Sequence, residues 1–302
     1  MAINRERDAR QQREALAYFR SHAPEWSEKA SGTSYETVNV IKQRNEFVLH
    51  VIDGRSVTDT ALDVGCGSGD LVLEIANRGI KGIGVDYAPE MIAIAKERAG
   101  GLGQSLVEFH SANIFELELD QEFYDCVSAN GFIEYISWEQ LNQFALLAHR
   151  ILKPGGSLVL GSRNRLFNIF SLNDFTKLEA DAGTLQALLR ESIAISGDDD
   201  DELATVDPAP LAVGDIYHRN TGIDVSTRLQ YTPVQLMRFL EGMGFQTVQI
   251  SPIHIHGLAP RLASHSAEAH TRISNLLHAD ALANRHLIPQ SSSFMIHATK
   301  AQ

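Results

Sequence analysis

Cysteine is scarce in this chain, with only two residues in 302. Cys66 and Cys126 are too few to form the disulfide framework that holds small secreted domains together. Long apolar runs are also missing, since none approaches the roughly 20 residues that a membrane-spanning helix needs. The charged start of the chain is unlike a secretory signal. We therefore expect a cytoplasmic protein without a membrane span.

Positively charged residues are also relatively few. The 38 Asp and Glu residues outnumber the 26 Lys and Arg residues, which gives a formal net charge of -12. This balance argues against a broad electrostatic grip on nucleic acid or anionic lipid. We expect a small-molecule partner and no nucleic acid. The length and the 44% hydrophobic content suit one elaborated domain.

Short apolar segments alternate with helical segments from residue 60 onward, a pattern typical of βαβ units in a parallel sheet. Ligands of such sheets bind beyond the carboxyl ends of the strands. Strands are expected at 61–64, 79–86, 105–110, 124–129, 157–161, 245–250 and 293–299. Helices are expected at 70–77, 89–99 and 138–152, and from 232 to 241.

Three closely spaced glycines, Gly65, Gly67 and Gly69, follow the first of these strands. Gly65 and Gly67 allow a sharp turn and a close approach of the backbone to a ligand, and Gly69 sits where the following helix must pack close. The spacing differs from the dinucleotide-binding fingerprint, which has a third small residue at the position of Asp70. The Lys-Ser/Thr pair of a P-loop does not follow the glycines either. Asp63 would repel a pyrophosphate but suits a ligand that carries an ammonium and a sulfonium.

Four segments in the expected order resemble the class I S-adenosylmethionine-dependent methyltransferases: 63–69, Asp86 at the end of the second strand, 111–114 and 152–159. The resemblance implies an α/β fold, Rossmann-like, with a seven-stranded and mostly parallel sheet of order 3-2-1-4-5-7-6, its last strand antiparallel, and helical additions. It also suggests an N-terminal helical cap over 1–57 and a methyltransferase domain over 58–302. Within that domain we expect a substrate-side insertion at 164–230, covering the crevice, and a helical insertion at 253–290.

S-adenosylmethionine is the cofactor that this resemblance implies. In this interpretation Asp86 binds the ribose, Asn113 and Ile114 bind the adenine, and Asn130 lies near the sulfonium. The predicted cofactor-binding residues are Asp63, Gly65, Gly67, Gly69, Asp86, Tyr87, Met91, Asn113, Ile114 and Asn130. Ordinary core packing is the alternative for Met91.

The predicted reaction is transfer of a methyl group to a small-molecule acceptor, with oxygen favoured over nitrogen or carbon. Candidate general bases are His218 and Glu134, ranked ahead of His254 and His256, each histidine having a structural role as its alternative. Many related quinone and small-molecule enzymes have the motif Glu-x-x-Glu-His around the position of Glu134. This chain has Gly131 and Tyr135 at the first and last positions of the motif, which argues against a metal-assisted mechanism like that of those enzymes. We therefore predict no metal site.

Other functions are also compatible with the pattern. The run Arg163-Asn164-Arg165, directly after the fifth strand, is a candidate for binding an anionic group of the substrate, because guanidinium offers a fixed fork of donors. A helix cap or a salt bridge is the alternative role for these residues. A non-catalytic module that binds an adenosyl ligand is the main alternative function. The other alternative is an NAD or nucleotide-sugar enzyme, but the pyrophosphate fingerprint of such enzymes is absent from this sequence.

Overall fold

The computed structural model describes residues 5–32, 38–101, 105–211 and 229–301. Seven strands form a single sheet in the order β3-β2-β1-β4-β5-β7-β6, in which β7 runs antiparallel to both of its neighbours. This confirms the predicted fold class. The strands are β1 (Thr60–Val64), β2 (Lys81–Asp86), β3 (Val107–Ser111), β4 (Tyr124–Asn130), β5 (Leu152–Arg163), β6 (Phe245–Ile255) and β7 (Ser291–Lys300).

Helices cover both faces of the sheet and begin at the signals that the sequence carries. Pro89 opens the helix after β2, and Ser137 forms a capping box with Gln140 at the helix after β4. No helix in the described ranges combines the length and apolar character needed to cross a membrane. The α-helices are α1 (Arg5–Ser21), α2 (Ala23–Ser31), α3 (Val40–Asp53), α4 (Asp70–Asn77), α5 (Pro89–Arg98), α6 (Trp138–Ile151), α7 (Asn168–Ser171), α8 (Asp174–Asp181), α9 (Leu185–Ser196), α10 (Asp200–Thr205), α11 (Pro233–Gly242), α12 (Pro260–Ala263) and α13 (Ala267–His278).

The core lies on both sides of the central strands. Every residue of β1 is buried, because helices pack on each face of a parallel sheet. Side chains of α6 and α11 fill one face, among them Leu141, Phe144 and Leu236, and α3 fills the other with Phe47 and Val48. The carboxyl ends of β1, β2, β4 and β5 are thereby held at one edge.

The N-terminal helices α1 and α2 pack beside that edge. Phe19 of α1 contacts the ring of Tyr135 at a centroid distance of 5.3 Å, and Arg20 forms an ion pair with Glu90 of α5. Trp26 of α2 packs with Phe19 against the start of α5. These helices therefore lie over the crevice, where the sequence predicts a cap.

The segment after β5 forms a small cluster of its own. Leu166, Leu188 and Ile195 pack against Val234 of α11 and Ile288. Inside the segment, Arg165 and Glu179 form a fully buried ion pair, with Asn168 donating to the same carboxylate. Since Arg165 is committed to this pair, it lies away from the crevice, although it is only two residues from Arg163.

The helical insertion near the C-terminus begins later than the sequence predicts. Strand β6 continues to Ile255 instead of ending near 250, because Ile253 and Ile255 pair with Ser293 and Ser291 of β7 and are fully buried. The expected insertion at 253–290 therefore starts at His256, and α12 and α13 lie within it.

Gly69 offers a test of this packing. Its φ of +80° is left-handed, and an added Cβ would lie 2.6 Å from Cζ of Phe109 and 3.0 Å from Cβ of Ala95. Gly69→Ala should lower the free energy of unfolding by about 2 to 4 kcal/mol, since backbone strain and overpacking add. Gly79→Ala is the control, because Gly79 has a φ of +78° with no atom within 4 Å of an added Cβ. Its cost should be about 1 kcal/mol. Equal losses in urea denaturation followed by circular dichroism would contradict the packing argument.

Candidate active site

A cavity of about 1020 Å³ opens at the carboxyl edge of the sheet. The last residues of four strands line it: Val64 of β1, Asp86 of β2, Asn130 of β4 and Arg163 of β5. Phe19 and other residues of α1 and α2 form part of the wall. The volume is at the upper end for small-molecule sites, so the cavity has room for two ligands side by side.

The glycine turn after β1 forms the floor of one end of the cavity. Gly65 has a φ of +74°, and an added Cβ would lie 3.3 Å from Cβ of Phe132. Gly67, with a φ of +53°, lines the cavity with nothing within 4 Å of an added Cβ. Gly69 is among the predicted cofactor-binding residues but, unlike Ser68 and Asp70, does not line the cavity. Its position is required by packing against Phe109.

Asp86 connects the end of β2 with the glycine turn. Its Oδ2 accepts a hydrogen bond from the Gly67 amide at 2.9 Å, and its Oδ1 accepts one from the Ala88 amide at 2.8 Å. Burial raises the pKa of Asp86 above its usual value, and the two amide hydrogen bonds oppose that shift. The carboxylate is thus oriented at the point where β2, the turn and α5 meet.

Asp63 lies below the turn, on the buried strand β1. Ser128 of β4 donates a hydrogen bond to Oδ1 of Asp63 at 2.7 Å. Burial raises the pKa of Asp63 to about 7, the hydrogen bond from Ser128 opposes the shift, and the charge of Asp86 adds to it. A positively charged ligand beside Asp63 would favour its ionised form.

Four further predicted residues line the same end of the cavity. Tyr87 is half exposed at the rim, whereas Met91 is buried against Ala23 and Ala88. Asn113 accepts a hydrogen bond from the Phe115 amide and so fixes the turn after β3, and Ile114 is buried in the main core. Met91 and Ile114 therefore combine core packing with a place in the cavity wall.

The opposite end of the cavity carries charge of the other sign. Glu134 is 2% exposed and lies between two guanidinium groups, with Arg44 Nη2 at 3.7 Å and Arg163 Nε at 3.3 Å. Arg44 comes from α3 and reaches the site past Gly131, where an added Cβ would lie 2.5 Å from its Nη1. Gly131, having no side chain, therefore leaves room for an arginine.

This arrangement revises the prediction for Glu134. The Glu134 carboxylate is already engaged by two guanidinium groups, Arg44 through one oxygen and Arg163 through the other. Glu134 is better placed to hold the two arginines at the cavity wall than to accept a proton. Asn130, at the end of β4, is partly buried, and its buried Oδ1 has no hydrogen-bond partner in the described structure.

The predicted histidines lie in different places. His254 lines the cavity, and its Nδ1 is 2.9 Å from the Ser292 hydroxyl. His256 does not line it, and its ring packs on Phe167 at a centroid distance of 4.4 Å. Burial lowers the pKa of His254 well below its ordinary value and that of His256 to about 4. His218 lies outside the described residues.

The substrate-side insertion expected at 164–230 is described at 164–211 and 229–230, and these parts contribute no residue to the cavity wall. Side chains of 164–211 pack against α11 and the turn before β7, whereas the Leu229 amide donates a hydrogen bond to the backbone carbonyl of Glu134 in the cavity wall. The N-terminal helices and the insertion were both expected to cover the crevice. In the described structure, the N-terminal helices line the cavity and the described parts of the insertion do not.

Two residues of this region were not predicted from the sequence. Arg44 shares the cavity with Glu134, 90 positions later in the chain, and no local motif marks it. His270 of α13 packs against His256 with ring centroids 4.9 Å apart, although its helical spacing suggests an exposed position. Only the placement of α3 and α13 against the sheet brings these side chains in.

Comparisons with known proteins agree with this geometry. A family model described as a methyltransferase domain matches residues 61–156. A Mycolicibacterium smegmatis protein described as a "Probable S-adenosylmethionine-dependent methyltransferase" is 29% identical over 195 residues, which cover 62% of this chain and 70% of the relative. A ubiquinone biosynthesis O-methyltransferase of Bradyrhizobium sp. is 30% identical over 130 residues, which cover 43% of this chain and 48% of the relative. The chain therefore spans about half the length of that second relative.

Among solved structures, magnesium protoporphyrin IX methyltransferase from Synechocystis, with bound SAH, has the same fold. Its TM-score is 0.55 at 13% identity, with 96% of this chain and 100% of that chain covered. At this identity the likeness concerns the fold.

The raised pKa of Asp63 has a measurable consequence for stability. The carboxyl is ionised above about pH 4 when unfolded but only above about pH 7 when folded. The stability that it contributes is thus present at low pH and lost as the pH rises through 7. The free energy of unfolding of the wild type, minus that of Asp63→Asn, should fall by about 2 to 3 kcal/mol between pH 5 and pH 8. Urea denaturation of both proteins at each pH measures it, and a constant difference would contradict the assignment.

Proposed function

We propose that this chain, which belongs to the class I S-adenosylmethionine-dependent methyltransferases, transfers the methyl group to an oxygen atom of a small molecule that carries an acidic group. One observation carries the proposal. A single cavity joins the carboxylates Asp63 and Asp86 at one end to the guanidinium groups of Arg44 and Arg163 at the other. A cationic cofactor and an anionic acceptor suit these two ends.

The residues at the first end fit the cofactor. Asp63 is a buried carboxylate whose ionised form a cation would stabilise. Asn130 has an unpartnered buried oxygen that can accept from an ammonium group. The carboxylate of Asp86 faces the cavity beside the open backbone at Gly67, where ribose hydroxyls can donate to it.

S-adenosylmethionine, when bound, supplies a methyl group on a positively charged sulfur that departs as a neutral thioether. The main task of the protein is then alignment, which can contribute on the order of 7 to 11 kcal/mol. Phe19, Trp26 and Phe132 surround the cavity and reduce the access of water.

Arg163 and Arg44 would act on the acceptor. Their guanidinium groups can bind its acidic group and lower the pKa of a neighbouring hydroxyl, so that its proton passes to water and the ionised oxygen attacks without a dedicated base. Glu134 acts here as a positioning residue for both arginines. His254 stands at the same end of the cavity as part of the wall.

Oxygen is favoured as the acceptor atom by the names of relatives. Several curated ubiquinone biosynthesis O-methyltransferases are 30% to 33% identical to the central part of the chain. In the same proposal, α1 and α2 of the N-terminal region 1–57 cap the cavity while α3 belongs to the core, and residues 58–302 form the methyltransferase domain. A cytoplasmic location is consistent with two buried cysteines that form no disulfide.

The cofactor end can be tested at Asp86. Asp86→Asn should weaken S-adenosylmethionine binding by about 1.5 to 3 kcal/mol, roughly ten- to hundredfold, because a charged acceptor is lost. Calorimetric titration measures the affinity, and circular dichroism checks the fold. Glu108→Gln is the control, since it removes a carboxylate from the neighbouring strand β3 outside the cavity. If Asp86→Asn binds as tightly as the control, the ribose assignment is wrong.

The acceptor end can be tested at Arg163 with a cell extract and methyl-labelled S-adenosylmethionine. The fraction that accepts label should be retained on an anion-exchange resin, and mass spectrometry of the product should show an O-methyl group. Arg163→Gln should reduce label transfer at least about tenfold with cofactor affinity unchanged, because a charged hydrogen bond to the acceptor is lost. Arg238→Gln, in a surface ion pair of α11, should leave transfer unchanged.

Three outcomes of this experiment would count against the proposal. Acceptors found only in the unretained fraction would contradict the acidic group. Full transfer by Arg163→Gln would remove the arginine from the acceptor site. Cofactor binding without transfer to any fraction would favour the non-catalytic module.

A further inference from the structure

Three histidines converge where β6 meets the helical segment that follows it. His254 is the next-to-last residue of β6 and His256 directly follows the strand, and the centroids of their rings are 4.4 Å apart. His270 comes from α13, and its ring lies 5.7 Å from that of His254 and 4.9 Å from that of His256. One ring nitrogen from each histidine lies within 4.8 Å of the other two.

The ring nitrogens of this cluster are short of partners. Both nitrogens of His256 and Nδ1 of His270 are buried without a hydrogen-bond partner. A buried polar group with no partner costs about 1 to 3 kcal/mol, so three such atoms in one cluster need a reason. An ion that accepts their lone pairs supplies one.

The third histidine already has the support that metal ligands receive. One nitrogen of His254, Nδ1, lies 2.9 Å from the Ser292 hydroxyl, and its backbone amide donates to Gln43. A metal-bound histidine usually forms a hydrogen bond through its other nitrogen, which fixes the orientation of the ring. His254 also has a left-handed backbone, with a φ of +53°, which is rare for a residue with a side chain. The position of its ring is thus set by its surroundings.

From this geometry we propose that His254, His256 and His270 bind one divalent transition-metal ion, with zinc as the reference ion. Three imidazoles suit zinc, copper, nickel and iron, whereas calcium and magnesium require oxygen ligands. Around a tetrahedral zinc at about 2.0 to 2.1 Å from each nitrogen, the nitrogens would be about 3.3 Å apart. The ring nitrogens now lie within 4.8 Å of one another, so side-chain rotations would have to bring them at most about 1.5 Å closer.

The site has a defined place relative to the cavity. His254 lines the acceptor end, close to Arg163 and Arg44, while His256 and His270 lie behind it. Three protein ligands leave one coordination position for water or another ligand. The ion would also tie α13 to the end of β6. This site stands on its own contacts and does not depend on the proposed methyl transfer.

Metal binding can be measured directly on the full-length, tag-free protein. Zinc is added in slight excess, the unbound ion is removed by gel filtration, and the retained zinc is counted by mass spectrometry. We expect one zinc per chain and a higher melting temperature with zinc than with chelator. Cobalt(II) in place of zinc should give the strong visible absorption of a tetrahedral site, which reports coordination independently of activity.

Variants of the cluster separate ligation from folding. His256→Phe keeps a ring against Phe167, and His270→Gln changes a half-buried position on α13, so both should remain folded by circular dichroism. Each should weaken zinc binding at least about a hundredfold, since a ligand is lost. His265→Ala is the matched control, because His265 is exposed in the turn just before α13. It should bind zinc as the wild type does.

Two results would overturn the metal site. One is a wild type that retains no more zinc than the double variant His256→Phe/His270→Gln. The other is retained zinc that is lost equally in His265→Ala. S-adenosylmethionine binding, measured on the same samples, reports the state of the cofactor end separately. A failed metal site with an intact cofactor site is thus distinguishable from the reverse.

Discussion

The carboxylate of Asp86 joins three parts of the molecule, and the shape of the cavity depends on this junction. Its two oxygens accept hydrogen bonds from the amides of Gly67 and Ala88, so the end of β2 holds both the glycine turn and the start of α5. The turn can approach so closely because Gly65 and Gly67 have left-handed backbones that other residues adopt only at a cost. The parallel register of β1 and β2, in which Asp63 lies beside Gly84, brings the second carboxylate beneath the same turn.

Charge divides the cavity into two ends. Asp63 and Asp86 give one end a negative character, and Arg44 and Arg163 give the other a positive one, with Glu134 between the two arginines. In a poorly hydrated cavity such a polarity orients a cation and an anion toward each other. The fold creates this polarity by aligning strand ends, because β1 and β2 supply the two acidic residues while β5 and α3 supply the two arginines.

The antiparallel pair β6 and β7 extends this edge on its far side. Ile253 and Ile255 prolong β6 beyond its predicted end by pairing with β7 and filling the core. The extension carries His254 to the cavity wall and His256 behind it, where α13 adds His270. A sheet lengthened by a few residues thus brings an imidazole cluster next to the acceptor end.

The sequence by itself determined the alternation of strands and helices and the glycine turn, since apolar segments, Gly65, Gly67 and Asp86 act within a few residues of the chain. The strand order followed from the resemblance to a known family. The sequence also located α4 and the starts of α5 and α6, where Pro89 and Ser137 act on the adjacent backbone. Only the tertiary structure decided that Gly69 packs on Phe109, that Arg44 pairs with Glu134, and that His270 joins His254. Local hydrogen bonding and steric limits act between neighbours in the chain. A contact across 16 or 90 positions depends on how whole helices pack against the sheet, which no short segment encodes.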